Sequence, residues 1–293
     1  MTTFPKPLPK PLPIEVASGT ELLGEIICWT CNGLAVRHTD LIAALKDAGL
    51  DEGVARELAP RHAFARACRK LSDARIIRQV AENETSIEFQ FTSESRDGDR
   101  FSYDFETLLT LDKRTGAVTC DLPGLATLAQ EELDRCIAVR TGSDVTRIVQ
   151  KLFERTSDLF PIRPQGGAYF TPAAHAGFVD KVQTFLGSLN GAMLRFPIPK
   201  GTDHGDRSVK EAVASGLSSL IAEHAAAVEV FGADTRPDTI ERAAARIKAT
   251  QFKIQVYAEY LQDQKAKLDR ELAAAQQRLR ARVAEIAGTV CVA

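Results

Sequence analysis

The sequence predicts an α+β protein, and three observations carry that prediction. Apolar residues recur at helical spacing through much of the chain. Between residues 75 and 121 the period drops to two. From Asp238 to Ala287 there is neither glycine nor proline. The expected architecture is a set of N-terminal helices plus an antiparallel β meander, then a helix–hairpin–helix middle of winged-helix-like outline. A long C-terminal antiparallel helical hairpin follows.

Composition narrows the function classes. The 293 residues carry 37 basic and 39 acidic side chains. That balance excludes a wholly electrostatic nucleic-acid binder, though not a local basic patch. Six cysteines are too sparse for a disulfide scaffold in a chain this long. No apolar run approaches the ~18 residues of a membrane span. The opening MTTFPKPLPKPLPIEV lacks the apolar stretch of a secretory signal. The expectation is a cytoplasmic protein without membrane contact.

Residues 1–16 read as a proline-rich flexible tail, because proline removes donors and favours extended backbone. A helix-plus-meander domain is expected over 17–140. Within it, the β-branched run 22–30 is a first strand. Three short helices follow: one capped by Thr39 and stopped by Gly49, one over about 52–58, and one opened by Pro60. The meander then pairs Ile76, Ile77 and Val80 with Ile87, Phe89 and Phe91. The turn at Asp97-Gly98 leads into Phe101, Tyr103 and Phe105, which alternate with polar residues on the returning strand. Lys113–Gly116 is a second turn. Pro123 opens a further helix, to about Val139.

A helix–β-hairpin–helix module is expected over 141–206. Ser143 caps its first helix, whose stripe is Val145, Ile148, Val149, Leu152 and Phe153. Gln165-Gly166-Gly167 is the hairpin turn, and the second helix starts at Thr171-Pro172 and closes at Asn190-Gly191. Residues 192–198 suit one more strand, and 199–206 a loop. Over 207–293 the reading is a helical hairpin: one helix capped by Asp206 and running to Phe231, then a single helix of about 50 residues.

The run DVTRIVQKLFERTSDLFPIRPQGGAYFTPAAH (Asp144 to His175), together with the long helical end, resembles an uncharacterised bacterial family known only as a domain of unknown function. That resemblance implies a bacterial or phage context and carries over no activity and no residue roles.

Motifs for several chemistries are missing. There is no Walker loop, no G-x-G-x-x-G after a strand, no H-E-x-x-H and no G-x-S-x-G. Cys28-Trp29-Thr30-Cys31 has redox spacing, but Asn32-Gly33 follows where a redox pair wants a helix N-terminus. A zinc site on this pair would have to recruit His38 and His62, at spacings that match no common module. His224 lies on an apolar helix face and reads as a packed core histidine. His204, in the 199–206 loop, could reach a metal.

Residues 55–80 hold seven basic and two acidic side chains. Arg61, Arg66, Arg69 and Lys70 on the third helix suit phosphate and guanine contact if the outline is a winged helix. The competing reading pairs them with the eight acidic side chains of residues 82–106.

The long last helix shows Leu261, Leu268, Leu272, Leu279, Val283 and Ile286 on one face, past the reach of a shorter partner helix. An exposed stripe of that kind needs cover. The expectation is therefore a non-enzymatic interaction or scaffold protein that joins a protein partner or a second copy through this arm. Packing against the chain's own domains is the alternative cover. No catalytic residue, metal or cofactor is assigned. The runner-up is a nucleic-acid-binding protein using the basic helix. The third is a redox or zinc protein using Cys28 and Cys31.

Overall fold

The computed structural model describes residues 19–290, except Ala74, Pro164 and Ala233. The proline-rich tail and Cys291 lie outside the described residues. In chain order the N-terminal elements are β1 (Leu22–Thr30), β2 (Ala35–Arg37), α1 (His38–Asp47), α2 (Pro60–Lys70) and β3 (Arg75–Glu82). Next come β4 (Ser86–Asp97), β5 (Arg100–Asp112), β6 (Val118–Thr119), α3 (Pro123–Ala138), β7 (Val139–Thr141) and α4 (Gly142–Thr156). The remainder is β8 (Phe160–Pro161), β9 (Tyr169–Pro172), α5 (Ala176–Ser188), β10 (Ala192–Pro199), α6 (Asp203–Glu229), α7 (Pro237–Val256), α8 (Ala258–Leu261) and α9 (Lys265–Val290). The fold is α+β, with antiparallel sheets and a long C-terminal helix. No described helix is long and apolar enough to cross a membrane.

The chain forms two compact units, each drawn from separated segments. The first takes Thr30–Leu152 and Lys181–Ala192. The second takes the described residues up to Trp29, Phe153–Asp180 and the chain from Met193 onward. Sequence reading drew consecutive segments instead, because it could not see that β1 pairs with β9.

In the first unit a four-stranded sheet runs in the order β3-β4-β5-β6. Its inner face presents Ile87, Phe89, Phe91, Leu109 and Leu111, all buried. They pack in one core with Ala63, Phe64, Ala67 and Cys68 of α2 and with Ala129, Leu133 and Cys136 of α3. Phe64 meets Phe89 edge to face at 5.5 Å. Each large side chain here is worth roughly 1.5–3 kcal/mol of burial. Pro60 fills the first turn of α2, where its missing N–H costs nothing.

Three expectations in this unit are corrected. The helix over 52–58 is only a single 3-10 turn, Glu52–Val54. The residue before Pro60 is driven out of the helical region, and Ala59 indeed has ψ 139°. So α2 is the second helix rather than the third. Thr39 does not cap α1: the helix starts at His38, directly after β2, and the Thr39 hydroxyl bonds Asp40 instead. Nor does Ser143 serve α4. Asp144 takes the Thr141 N–H at 3.0 Å and the Thr141 hydroxyl at 2.9 Å.

In the second unit the sheet order is β10-β1-β9-β8. β8 and β9 form the hairpin around Gly166 and Gly167, whose φ angles of 71° and 84° explain the diglycine. Gly24 faces Pro172 across β1 and β9, and a Cβ there would come within 2.1 Å of the Thr171 carbonyl oxygen. α6 begins at Asp203 rather than at Asp206.

The largest correction is at the C-terminus. The single 50-residue helix is interrupted between Tyr257 and Gln264, and Gln262 takes φ 41° without being glycine. Three helices result. Gln251 bonds Gln276, so α9 runs antiparallel to α7. Lys210 bonds Gln262 and Ser218 bonds Glu271, so α9 runs parallel to α6. The apolar stripe thereby finds its cover inside the chain. Leu261, Leu268, Leu272 and Leu279 are buried with Val213, Leu217, Ile221, Ile247 and Ile254, and Ile286 packs against the same core. Val283 remains 36% exposed. Leu261, Leu268, Leu272 and Leu279 are therefore not available as a docking face.

Candidate functional site: an aromatic β-ribbon

The sheet of the first unit extends past its helical cover. β3 follows β4 to the pair Arg75↔Ser93. Beyond it β4 and β5 pair with one another to the turn, through Glu94↔Tyr103 and Arg96↔Phe101 to Asp97↔Arg100. Gly98 closes that turn at φ 60°.

A bulge decides which way the ribbon's side chains point. Phe91 faces Thr107, but the next residue, Thr92, faces Phe105, so Glu106 is the extra residue. Arg75 pins it with two hydrogen bonds, Nε to Oε2 at 2.6 Å and Nη2 to Oε1 at 2.9 Å. That bond holds the Glu106 carboxyl below its ordinary range. After the bulge, Thr107, Leu109 and Leu111 of β5 enter the core. Before it, the odd-numbered residues share a face with Thr92, Glu94 and Arg96, opposite to Phe91.

Phe101, Tyr103 and Phe105 therefore form a row of rings 52%, 56% and 62% exposed. The Arg96 guanidinium lies 5.5 Å from the centre of the Phe101 ring. The other face is wholly polar: Ser93, Ser95, Asp97, Arg100, Ser102 and Asp104. Ser95 and Ser102 bond each other across it. Soluble proteins rarely leave contiguous aromatic rows open without a use for them. Alternation placed these rings on the returning strand and left their exposure open; the missed signal was strand length, since β4 and β5 outrun β3.

Three of the four basic residues singled out from sequence have carboxylate partners. Arg66 grips Asp144 with both terminal nitrogens, at 2.8 and 2.6 Å. Burial alone would raise the Asp144 pKa, but Arg66 and Thr141 outweigh it and hold the carboxyl at about 2. Lys70 pairs with Glu132, and Arg61 lies 3.6 Å from Glu82. Arg69 gives its carbonyl to the Ser72 hydroxyl. The helix that was to enter a groove is thus tied to its own unit.

The thiols are placed for packing. Cys31 is buried and Cys28 half-buried, and both are unbridged. Burial pushes both thiols up, against weaker lowering by Arg163 at Cys28 and Thr146 at Cys31. A redox pair needs the opposite shift. No cluster of three or more His, Cys, Asp or Glu side chains suited to a metal occurs among the described residues. His224 bonds the Thr250 hydroxyl at 2.9 Å.

One polar cluster in the second unit escaped sequence reading, since its members lie far apart in the chain. Tyr257 donates its hydroxyl proton to Asp158, which also pairs with Lys253. His175 Nε2 lies 3.5 Å from the same hydroxyl. These groups line a cleft of about 520 Å³, with Phe252 and Val256 on its wall. Burial and the adjacent carboxylate push the Tyr257 phenol far up, so it stays protonated. Burial pushes His175 down, leaving a neutral ring near pH 7. With the phenol donating to Asp158 and Lys253 pairing with the same carboxylate, the cluster fastens α7 to the segment before β8.

No curated protein and no solved structure matches the chain. Its sequence matches a family of unknown function from residue 22 to residue 289. On that match, which spans nearly the whole chain, the protein belongs to family DUF6744.

Proposed function

We propose that this chain is a non-enzymatic interaction or scaffold protein of the cytoplasm, and that its contact surface is the aromatic face of the β4–β5 ribbon. The open row Phe101–Tyr103–Phe105 carries the reading. Rigid aromatic side chains give much contact area for little lost conformational freedom, which is why they dominate binding surfaces. The C-terminal leucines do not support this role, because the helical core uses them. The free thiols of Cys31, Cys68 and Cys136 accord with a reducing compartment.

Charge favours a protein partner over nucleic acid. Residues 92–105 contain four acidic and two basic side chains, and a phosphate backbone would be repelled. The basic helix offers Arg69 as its one side chain without a carboxylate partner among the described residues.

The test is site-specific photo-crosslinking in native cells, with a photoreactive phenylalanine analogue at Tyr103 and, as control, at Ser95 on the polar face. The reading expects a discrete protein adduct from position 103 and none from position 95. Adducts to nucleic acid, or equal yields from both positions, overturn it.

A further inference from the structure

We propose that the ribbon's partner is a second copy of this chain, paired face to face about a two-fold axis. This inference rests on the ribbon being the contact surface. It adds who the partner is, and the reason lies in how charge is placed beside the rings.

The exposed face is a small grid. One row, on β5, is Phe105, Tyr103, Phe101, and the facing row, on β4, is Thr92, Glu94, Arg96. Its charged members are one acid and one base, two positions apart on one strand. No ion pair engages Glu94 among the described residues, while Arg96 gives Nε to the Gly98 carbonyl at 2.8 Å and has Asp99 at 3.8 Å, which leaves a terminal nitrogen to meet a second carboxylate. A two-fold axis passing between the Glu94–Tyr103 pair and the Arg96–Phe101 pair, across the strands, superposes the grid on its inverse. Arg96 of each copy then meets Glu94 of the other, and Phe101 meets Tyr103. Both ion pairs and both ring contacts form at once, as an isologous interface requires. A uniformly basic partner would be opposed by Arg96, and a uniformly acidic one by Glu94. The axis also sends the two bodies to opposite ends of the paired ribbons, so neither obstructs the other.

The polar back face limits the assembly. With serine and aspartate on the far side of the ribbon, only one face can pair, and association closes at two copies instead of growing into a fibre. The size of the contact sets its class. At slightly more than half exposure each ring leaves roughly 100 Å² open. Phe101 and Tyr103 on each of two copies supply about 400 Å², to which the Glu94 and Arg96 side chains add. A contact of this size belongs to the weak, reversible class, and area does not fix its affinity, so the assay spans about 1–200 µM.

Sedimentation velocity of the full chain over a concentration series tests this. Wild type is expected to shift from one to two copies as concentration rises through that range. Phe101→Ser with Tyr103→Ser removes the shift while circular dichroism stays unchanged. Glu94→Arg alone and Arg96→Glu alone each place like charges together and weaken pairing by about tenfold or more. The combined Glu94→Arg, Arg96→Glu variant restores pairing to within about threefold of wild type, because the swapped charges again oppose each other. Restoration by the double swap is the outcome that a two-fold pairing predicts and a simple loss of folding does not. A wild-type monomer at about 200 µM overturns self-pairing; a position-103 adduct to a different protein would then leave the interaction reading standing. A wild-type dimer indifferent to the ring and charge variants overturns self-pairing through this face. Loss of the position-103 adduct as well would overturn the ribbon reading with it.

Discussion

Asp144→Asn probes how tightly the basic helix is bound into its own unit. Arg66 meets both oxygens of the carboxylate, and Thr141 adds two donors. The carboxyl titrates at about 2 in the folded chain, against a reference of 3.8. At 1.36 kcal/mol per pKa unit the ionised form contributes about 2 kcal/mol to folding. The folded pKa lies below the unfolded one. The contribution is therefore complete above about pH 4 and is lost as pH falls toward 2. Urea unfolding followed by circular dichroism should show the variant about 2 kcal/mol less stable at pH 7. The gap should close progressively between pH 4 and pH 2. Arg66→Ala should cost a similar amount, because it strands the carboxylate. Identical stability of wild type and both variants at pH 7 would refute the clamp and return Arg66 to the surface as a candidate phosphate ligand. So would a gap that persists unchanged at pH 2.

Leu272→Asp buries a charge in the helical core and should lower the unfolding midpoint by the equivalent of about 3 kcal/mol or more, read by urea titration. A folded monomer arising from a wild-type oligomer would instead restore the C-terminal stripe as an interface. Gly142→Ala places a Cβ 1.8 Å from the Cys31 carbonyl oxygen, and its melting temperature should fall by several degrees. An unchanged melting curve would show that no such close approach exists. Tyr257→Phe leaves Asp158 without its phenolic donor; the expected loss is about 1–2 kcal/mol in chemical denaturation, and no loss would free the cluster for another role.

Local chemistry in the sequence was enough for most elements. Pro60 and Pro123 start helices because proline suits a first turn. Gly98 and Gly116 mark the meander's turns because each takes a positive φ. The alternation of Ile87, Phe89 and Phe91 named the core face of β4 correctly, because period two puts every second side chain on one side. The family resemblance was likewise carried by a contiguous run of residues.

What lay beyond sequence is non-local. The register slip at Glu106 is held by Arg75, 31 residues away. Without it, Phe101, Tyr103 and Phe105 would continue the inward face of Leu109 and Leu111 rather than stand open. Asp144 meets Arg66 across 78 residues, and no local rule says that the basic face of α2 is answered there. The break after Tyr257 has no glycine or proline to announce it. It forms because an unbroken helix would leave Leu268, Leu272 and Leu279 in water. Turning α9 back beside α6 and α7 buries them, and that gain exceeds the cost of one strained residue at Gln262.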